Sequence, residues 1–178
     1  MVFNKMSRDF SYQTKTGTCI NVVNNCVKTV GQTKCVFSTL WTEVITNILT
    51  VFLRLNDYRR IPTLTVRDTN DLNRRSKLFL RECCGQLAVN HEKCCMFTHH
   101  IPLQYFLNSK YSNSNIDEAY ANSLGAFIEE FAHVIKLWAF GHTHTAYDET
   151  LLDTHFICNP FGYPGEHSGF DYGLVIDL

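Results

Sequence analysis

Two short stretches of this sequence concentrate side chains that can do chemistry. Cys94-Cys95-Met96-Phe97-Thr98 runs into His99-His100-Ile101-Pro102, and Leu137-Trp138-Ala139-Phe140 runs into Gly141-His142-Thr143-His144. In both, imidazoles stand where a short apolar run stops. Imidazole is a good ligand for divalent zinc, iron or manganese, and a glycine at 141 is expected to let the backbone turn so that His142 and His144 face a shared site. Taken singly, each histidine reads as a polar residue where a strand emerges into a loop. The matching placement of two clusters points instead to one common site. His91, His133 and His167 carry no assigned role.

The surrounding pattern predicts what must position these residues. Residues 1–18 read as an irregular lead-in to a single domain over 19–178. Cys26 to Val30, a Gly31-Gln32 turn and Thr33 to Leu40 read as a β-hairpin. Val44 to Leu55 fits either a helix or a buried strand. Arg59 to Thr69, with Pro62 and alternating Leu64 and Val66, reads as a loop or short edge strand. Asp71 is the expected N-cap of a helix running to about Leu87, followed by a strand at Cys94 to Thr98. A polar loop at Ser109 to Asn115 leads to a second helix from near Ile116 to about Val134, with Tyr120, Leu124, Phe127, Ile128 and Phe131 as its buried stripe. Leu137 to Phe140, His155 to Cys158 and Tyr172 to Ile176 complete the strands. Alternating strands and helices predict an α/β fold, and in such sheets ligands bind beyond the carboxyl ends of the strands.

Composition narrows the classes of function. At 178 residues, with 45% hydrophobic and 19% charged residues, the chain can bury one core. A net charge of -1 gives no broad attraction to nucleic acid or acidic membranes, so neither partner is expected, and Arg59-Arg60 and Arg74-Arg75 read as solvated faces. The opening residues contain no apolar signal segment, and Val44 to Leu55 is interrupted by Thr46, Asn47, Thr50 and Arg54, so no membrane span is expected. The 8 cysteines include no C-x-x-C pair and mostly sit in apolar runs. They read as reduced core thiols in a cytoplasmic protein, with a disulfide framework as the alternative.

Phe97-Thr98-His99-His100-Ile101-Pro102, Gly141-His142-Thr143-His144 and Asn159-Pro160-Phe161-Gly162-Tyr163-Pro164-Gly165-Glu166, together with Thr39-Leu40-Trp41-Thr42, resemble the carboxy-terminal half of the calcineurin-like metallophosphoesterase superfamily. The resemblance spans roughly Cys19 to Leu178. It implies a two-layer αββα sandwich and a binuclear centre of divalent ions such as manganese, iron or zinc that hydrolyses phosphomonoesters or phosphodiesters. Carried over, His99 and His142 would hold one metal and His144 the other, with His100 in reserve. His100, Asn159 and Tyr163 are candidate substrate-loop residues, although the 159–164 stretch reads equally as a Pro/Gly-shaped packing loop, and it lacks the basic residue common in relatives where Phe161 stands.

The family's amino-terminal motifs are missing: the sequence contains no Gly-Asp or Gly-Asn dipeptide. Asp153-Thr154-His155 precedes a predicted strand, and Asn90-His91-Glu92 lacks the glycine, so both would leave the wrong end of the sheet. The chain therefore reads as a partial sandwich lacking its first strands and helices, holding at most one metal and inactive in isolation, with self-association through an uncovered core. The alternative is a non-catalytic remnant acting as a metal-binding or interaction module.

Overall fold

In the computed structural model, which describes residues 10–110, 112 and 114–177, the centre is a six-stranded mixed sheet in the order β3-β4-β5-β6-β8-β7. The strands are β3 (Cys26–Val30), β4 (Thr33–Ser38), β5 (Cys94–Thr98), β6 (Ile135–Ala139), β7 (Tyr147–Leu151) and β8 (Thr154–Cys158). The four inner strands, β4, β5, β6 and β8, are parallel, and the edges β3 and β7 are antiparallel to their neighbours. A separate two-stranded ribbon, β1 (Phe10–Gln13) with β2 (Cys19–Val22), lies ahead of it. Residues 10–13 thus form a strand within the stretch read as irregular, while residues 1–9 lie outside the described part.

Each strand is explained by its own residues. β3 and β4 are joined by the expected two-residue turn, in which Gly31 takes the positive φ of 59° that such a hairpin requires at its first central position. On β5, Cys94 and Met96 point into the main core while Cys95 and Phe97 point to the opposite face. A register shift in the β5–β6 ladder lets Ile135 and Trp138, three residues apart, both enter that main core. Trp138 is fully buried, and its indole N–H donates to Thr98 Oγ1 at 3.0 Å.

Among the described residues there are four α-helices: α1 (Ile48–Arg54), α2 (Asn56–Arg60), α3 (Val66–Val89) and α4 (Gly125–Phe131). Helix α1 resolves the ambiguity of Val44 to Leu55. Helix α3 starts six residues earlier than an Asp71 N-cap would place it, because Thr65 and Asp68 form a reciprocal capping box. The Leu64/Val66 alternation is therefore not a strand. Leu80, Cys83, Cys84 and Leu87 of α3 meet Phe127, Ile128 and Phe131 of α4 over one face of the sheet.

The helix expected over Ile116 to Val134 is broken. Ile101 N–H donates to the Tyr120 carbonyl and Asn122 N–H donates to the Ile101 carbonyl, so residues 121–123 are bridged to the loop that follows β5. Only a short 3₁₀ turn (Asp117–Ala119) precedes the break. Tyr172 to Ile176 is not a strand, and β7 takes the sheet edge instead. None of the eight cysteines forms a disulfide, and burial pushes the thiols of Cys83 and Cys95 up to about 11 and that of Cys158 to about 12.

Candidate metal centre

Because β4, β5, β6 and β8 are parallel, the segments that follow them emerge at one edge: Thr39-Leu40-Trp41, His99-His100, Gly141 to His144, and Asn159 to Tyr163. Buried hydrogen bonds lash them together. Gly141 N–H donates to the His99 carbonyl at 3.0 Å, joining the two histidine loops. The Asn122 amide donates to the carbonyls of Leu40 and Ile101, and the Asn73 amide donates to Asn122 Oδ1 at 2.7 Å and to the Trp41 carbonyl. This network, spread over four segments, explains why Thr39-Leu40-Trp41-Thr42 sits beside the histidines.

His99 and His142 come together, with His99 Nε2 and His142 Nδ1 3.2 Å apart. The left-handed residue here is His142 itself, at φ 65°, and not Gly141 as its flexibility had suggested. A non-glycine in that region is strained, and strain of this kind concentrates at functional sites. His142 Nε2 is buried with no hydrogen-bond partner. Burial, followed by the neighbouring imidazoles His99 and His144, pushes the His142 pKa down to about 3; the Ala119 backbone favours the charged form slightly without completing a hydrogen bond to Nε2. Desolvation also lowers the pKa of His99, against the opposing pull of Asp57.

His100 lies beneath this pair. It is 2% exposed, its ring centroid is 4.2 Å from that of His142, and its Nδ1 is 3.2 Å from the Thr39 carbonyl, so it forms the floor of the site. His144 stands apart from the inner pair in a second arrangement. Its Nδ1 is 2.6 Å from Glu166 Oε2, which also accepts the Tyr163 N–H at 2.8 Å. The Tyr163 hydrogen bond, then His144, lowers the Glu166 pKa. Gly162 turns this loop at φ 73°, and a Cβ there would lie 3.0 Å from Glu166 Oε2. The Tyr163 ring packs edge-on to His144 at 4.7 Å, whereas Asn159 turns away and exchanges two hydrogen bonds with the Asp171 backbone.

His99, His142, His144, Glu166 and Tyr163 open into one pocket of about 820 Å³, whose other wall carries Arg54, Asp57 and Arg60 from the α1–α2 segment. Glu166, Arg54 and Arg60 escaped the sequence reading. Glu166 closed the quoted Asn159 to Glu166 stretch, but its approach to His144 across the intervening loop left no periodic signal. The decoys are placed differently: Asp153 and His155 lie at the start of β8 and Asn90 to Glu92 ahead of β5, at the opposite end of the sheet.

Two imidazole nitrogens bound to one divalent ion at about 2.0–2.1 Å stand roughly 2.9–3.4 Å apart across octahedral to tetrahedral angles. The 3.2 Å between His99 and His142 falls within that range. The inner pair thus fits part of a metal site through His99 Nε2 and His142 Nδ1, the unpartnered His142 Nε2 lying on the other edge of that ring. Among the described residues, no group of three or more His, Cys, Asp or Glu side chains is gathered to hold an ion. No protein-family model, curated protein or solved structure matches the chain.

Proposed function

We propose that this pocket is the metal and substrate site of a calcineurin-like metallophosphoesterase domain, built on the carboxy-terminal motifs of that αββα fold. The observation that supports this most is the His99–His142 contact at the carboxyl ends of adjacent parallel strands. A divalent ion of manganese, iron or zinc held there would polarise a phosphoryl oxygen and acidify a bound water. The chain's own residues do the rest. Desolvation disfavours the protonated forms of His99 and His142, which favours free lone pairs. Glu166 accepts the His144 Nδ1 proton and so leaves Nε2 for a second ligand or for the substrate. Arg54 and Arg60 supply positive charge for the ester's anionic oxygens. Thiols outside any disulfide suit a reducing compartment such as the cytosol.

A second reading, a non-catalytic metal-binding module, draws support from the lack of a third gathered ligand among the described residues. The two readings part on turnover. Titration calorimetry with Mn²⁺ is expected to give about one tight ion per chain, lost in His142→Ala, with no hydrolysis of bis-p-nitrophenyl phosphate. Steady turnover abolished by His142→Ala would instead make the chain a working enzyme. An absence of divalent binding would sink both readings.

A further inference from the structure

The α1–α2 segment is apolar on two sides. Val44, Val51 and Leu55 face a small core with Val66 and Ala119. On the outer side, Ile48, Leu49, Phe52 and Leu53 form one helical face, continued by Ile45, and all five are exposed, Leu49 by 69% and Ile45 by 71%. Large apolar side chains gathered this way on a soluble surface mark a place where something else docks. No apolar element of the described chain covers them.

The charge beside this face says what fits it. Arg54, Arg59 and Arg60 cluster at its carboxy-terminal end, and all three are exposed. Of the nearby acids, Glu118 accepts the Ile45 and Thr46 N–H groups and Glu43 pairs with Lys77 at 3.4 Å, while Asp57 lines the pocket together with Arg54 and Arg60. Arg59 donates to the Leu53 carbonyl, which holds its guanidinium against the apolar face. Apolar side chains flanked by three arginines that outnumber the adjacent Asp57 and form no ion pair among the described residues match a bilayer interface with anionic headgroups, where side chains sink into the acyl boundary and arginines stay at headgroup level.

We infer that α1 docks the protein onto an anionic membrane surface, and that the pocket takes a membrane-resident phosphate ester. The second half of this inference rests on the phosphoesterase reading; the docking does not. The two are linked because Arg54, Leu55, Asn56, Asp57, Arg60 and Ile61 form part of the pocket wall. A docked α1 therefore presents the pocket mouth at the depth of lipid phosphates. Among the described residues no helix is long and apolar enough to cross a membrane. The sequence pattern, with its near-neutral net charge, had suggested no membrane partner, because the local arginine cluster and the outward apolar face exist only in the fold.

The test is co-sedimentation of the full chain, in excess chelator, with phosphatidylcholine vesicles made with and without phosphatidylserine. Binding is expected only to the anionic vesicles, weakening with added salt, and falling about fivefold in Arg60→Gln. The surface variant Leu49→Glu/Leu53→Glu should abolish it while keeping the wild-type circular dichroism spectrum and Mn²⁺ titration. Failure of the wild type to bind anionic vesicles, or undiminished binding by the double variant, would overturn the docking. A concentration-dependent dimer dissolved by the same double variant would also overturn it, assigning the face to a second copy of the chain. Since the chelator removes metal from the vesicle assay, loss of metal binding or turnover in the separate titration counts against the phosphoesterase reading alone.

Discussion

The His99–His142 pair and the His144–Glu166 pair of the candidate centre are built in opposite ways. His99 and His142 sit on strand ends stitched by the Gly141–His99 hydrogen bond and floored by buried His100, and they have no carboxylate partner. His144 is exposed, rests on a loop and is oriented by Glu166. Desolvation lowers the pKa of both members of the inner pair, although His99 keeps an exposed edge; a charged neighbour sets the direction of the outer histidine. The same edge of one sheet thus offers neutral nitrogens by desolvation and an aimed nitrogen by hydrogen bonding.

The comparison breaks most sharply on metal affinity. His142→Ala should lower divalent affinity at least about a hundredfold in calorimetric titration, while Glu166→Ala leaves most of it, since a lost ligand outweighs a lost orienting partner. Equal losses would erase the distinction. Asn122→Ala strikes the clamp beneath the inner pair alone. It strands the Leu40 carbonyl and takes one of two acceptors from the Asn73 amide, and should cost about 2 kcal/mol in urea unfolding.

Acid tests the claim of burial. His100 and His142 have folded pKa values below the ordinary value of 6.5, so below it the unfolded chain binds more protons than the folded one. Stability is therefore full above about pH 6.5 and falls as pH drops toward the folded values, by up to about 1.4 kcal/mol per pH unit for each imidazole. A urea midpoint unchanged between roughly pH 7 and pH 5 would contradict that burial. The smallest effect is expected at the outer pair. Gly162→Ala places a Cβ at positive φ beside Glu166, costing about 1 kcal/mol and shifting the ¹⁵N resonances of His144 but not of His99.

What the sequence disclosed follows the range of the forces involved. β4, β5, β6 and β8 were legible because buried parallel strands read as short apolar runs. Thr65 and Asp68 carried a local capping signal, which Pro62 and the Leu64/Val66 alternation obscured. The break at residues 120–124 was hidden because its cause, pairing with Ile101 and Leu103, lies some twenty residues away. β7 was missed because its outward face is polar, as an edge strand's is, with Asp148 and Thr150 exposed. In the site, histidine was conspicuous by type. Glu166, Arg54 and Arg60 are ordinary charged residues until the fold sets them in one pocket.

The parallel order of the inner strands also governs how this protein is made. β4 cannot pair with β5 until α1, α2 and α3 have been synthesised, and the parallel core closes only when β8 leaves the ribosome. Helix α3, capped at its start, can form alone in the meantime. At roughly 5–20 residues per second, the thiols of Cys83, Cys84, Cys94 and Cys95 spend several seconds in contact with solvent before the sheet covers them. In that interval burial does not yet raise the pKa of Cys83, Cys84 or Cys95, so these thiols are more open to oxidation in the nascent chain than in the finished protein.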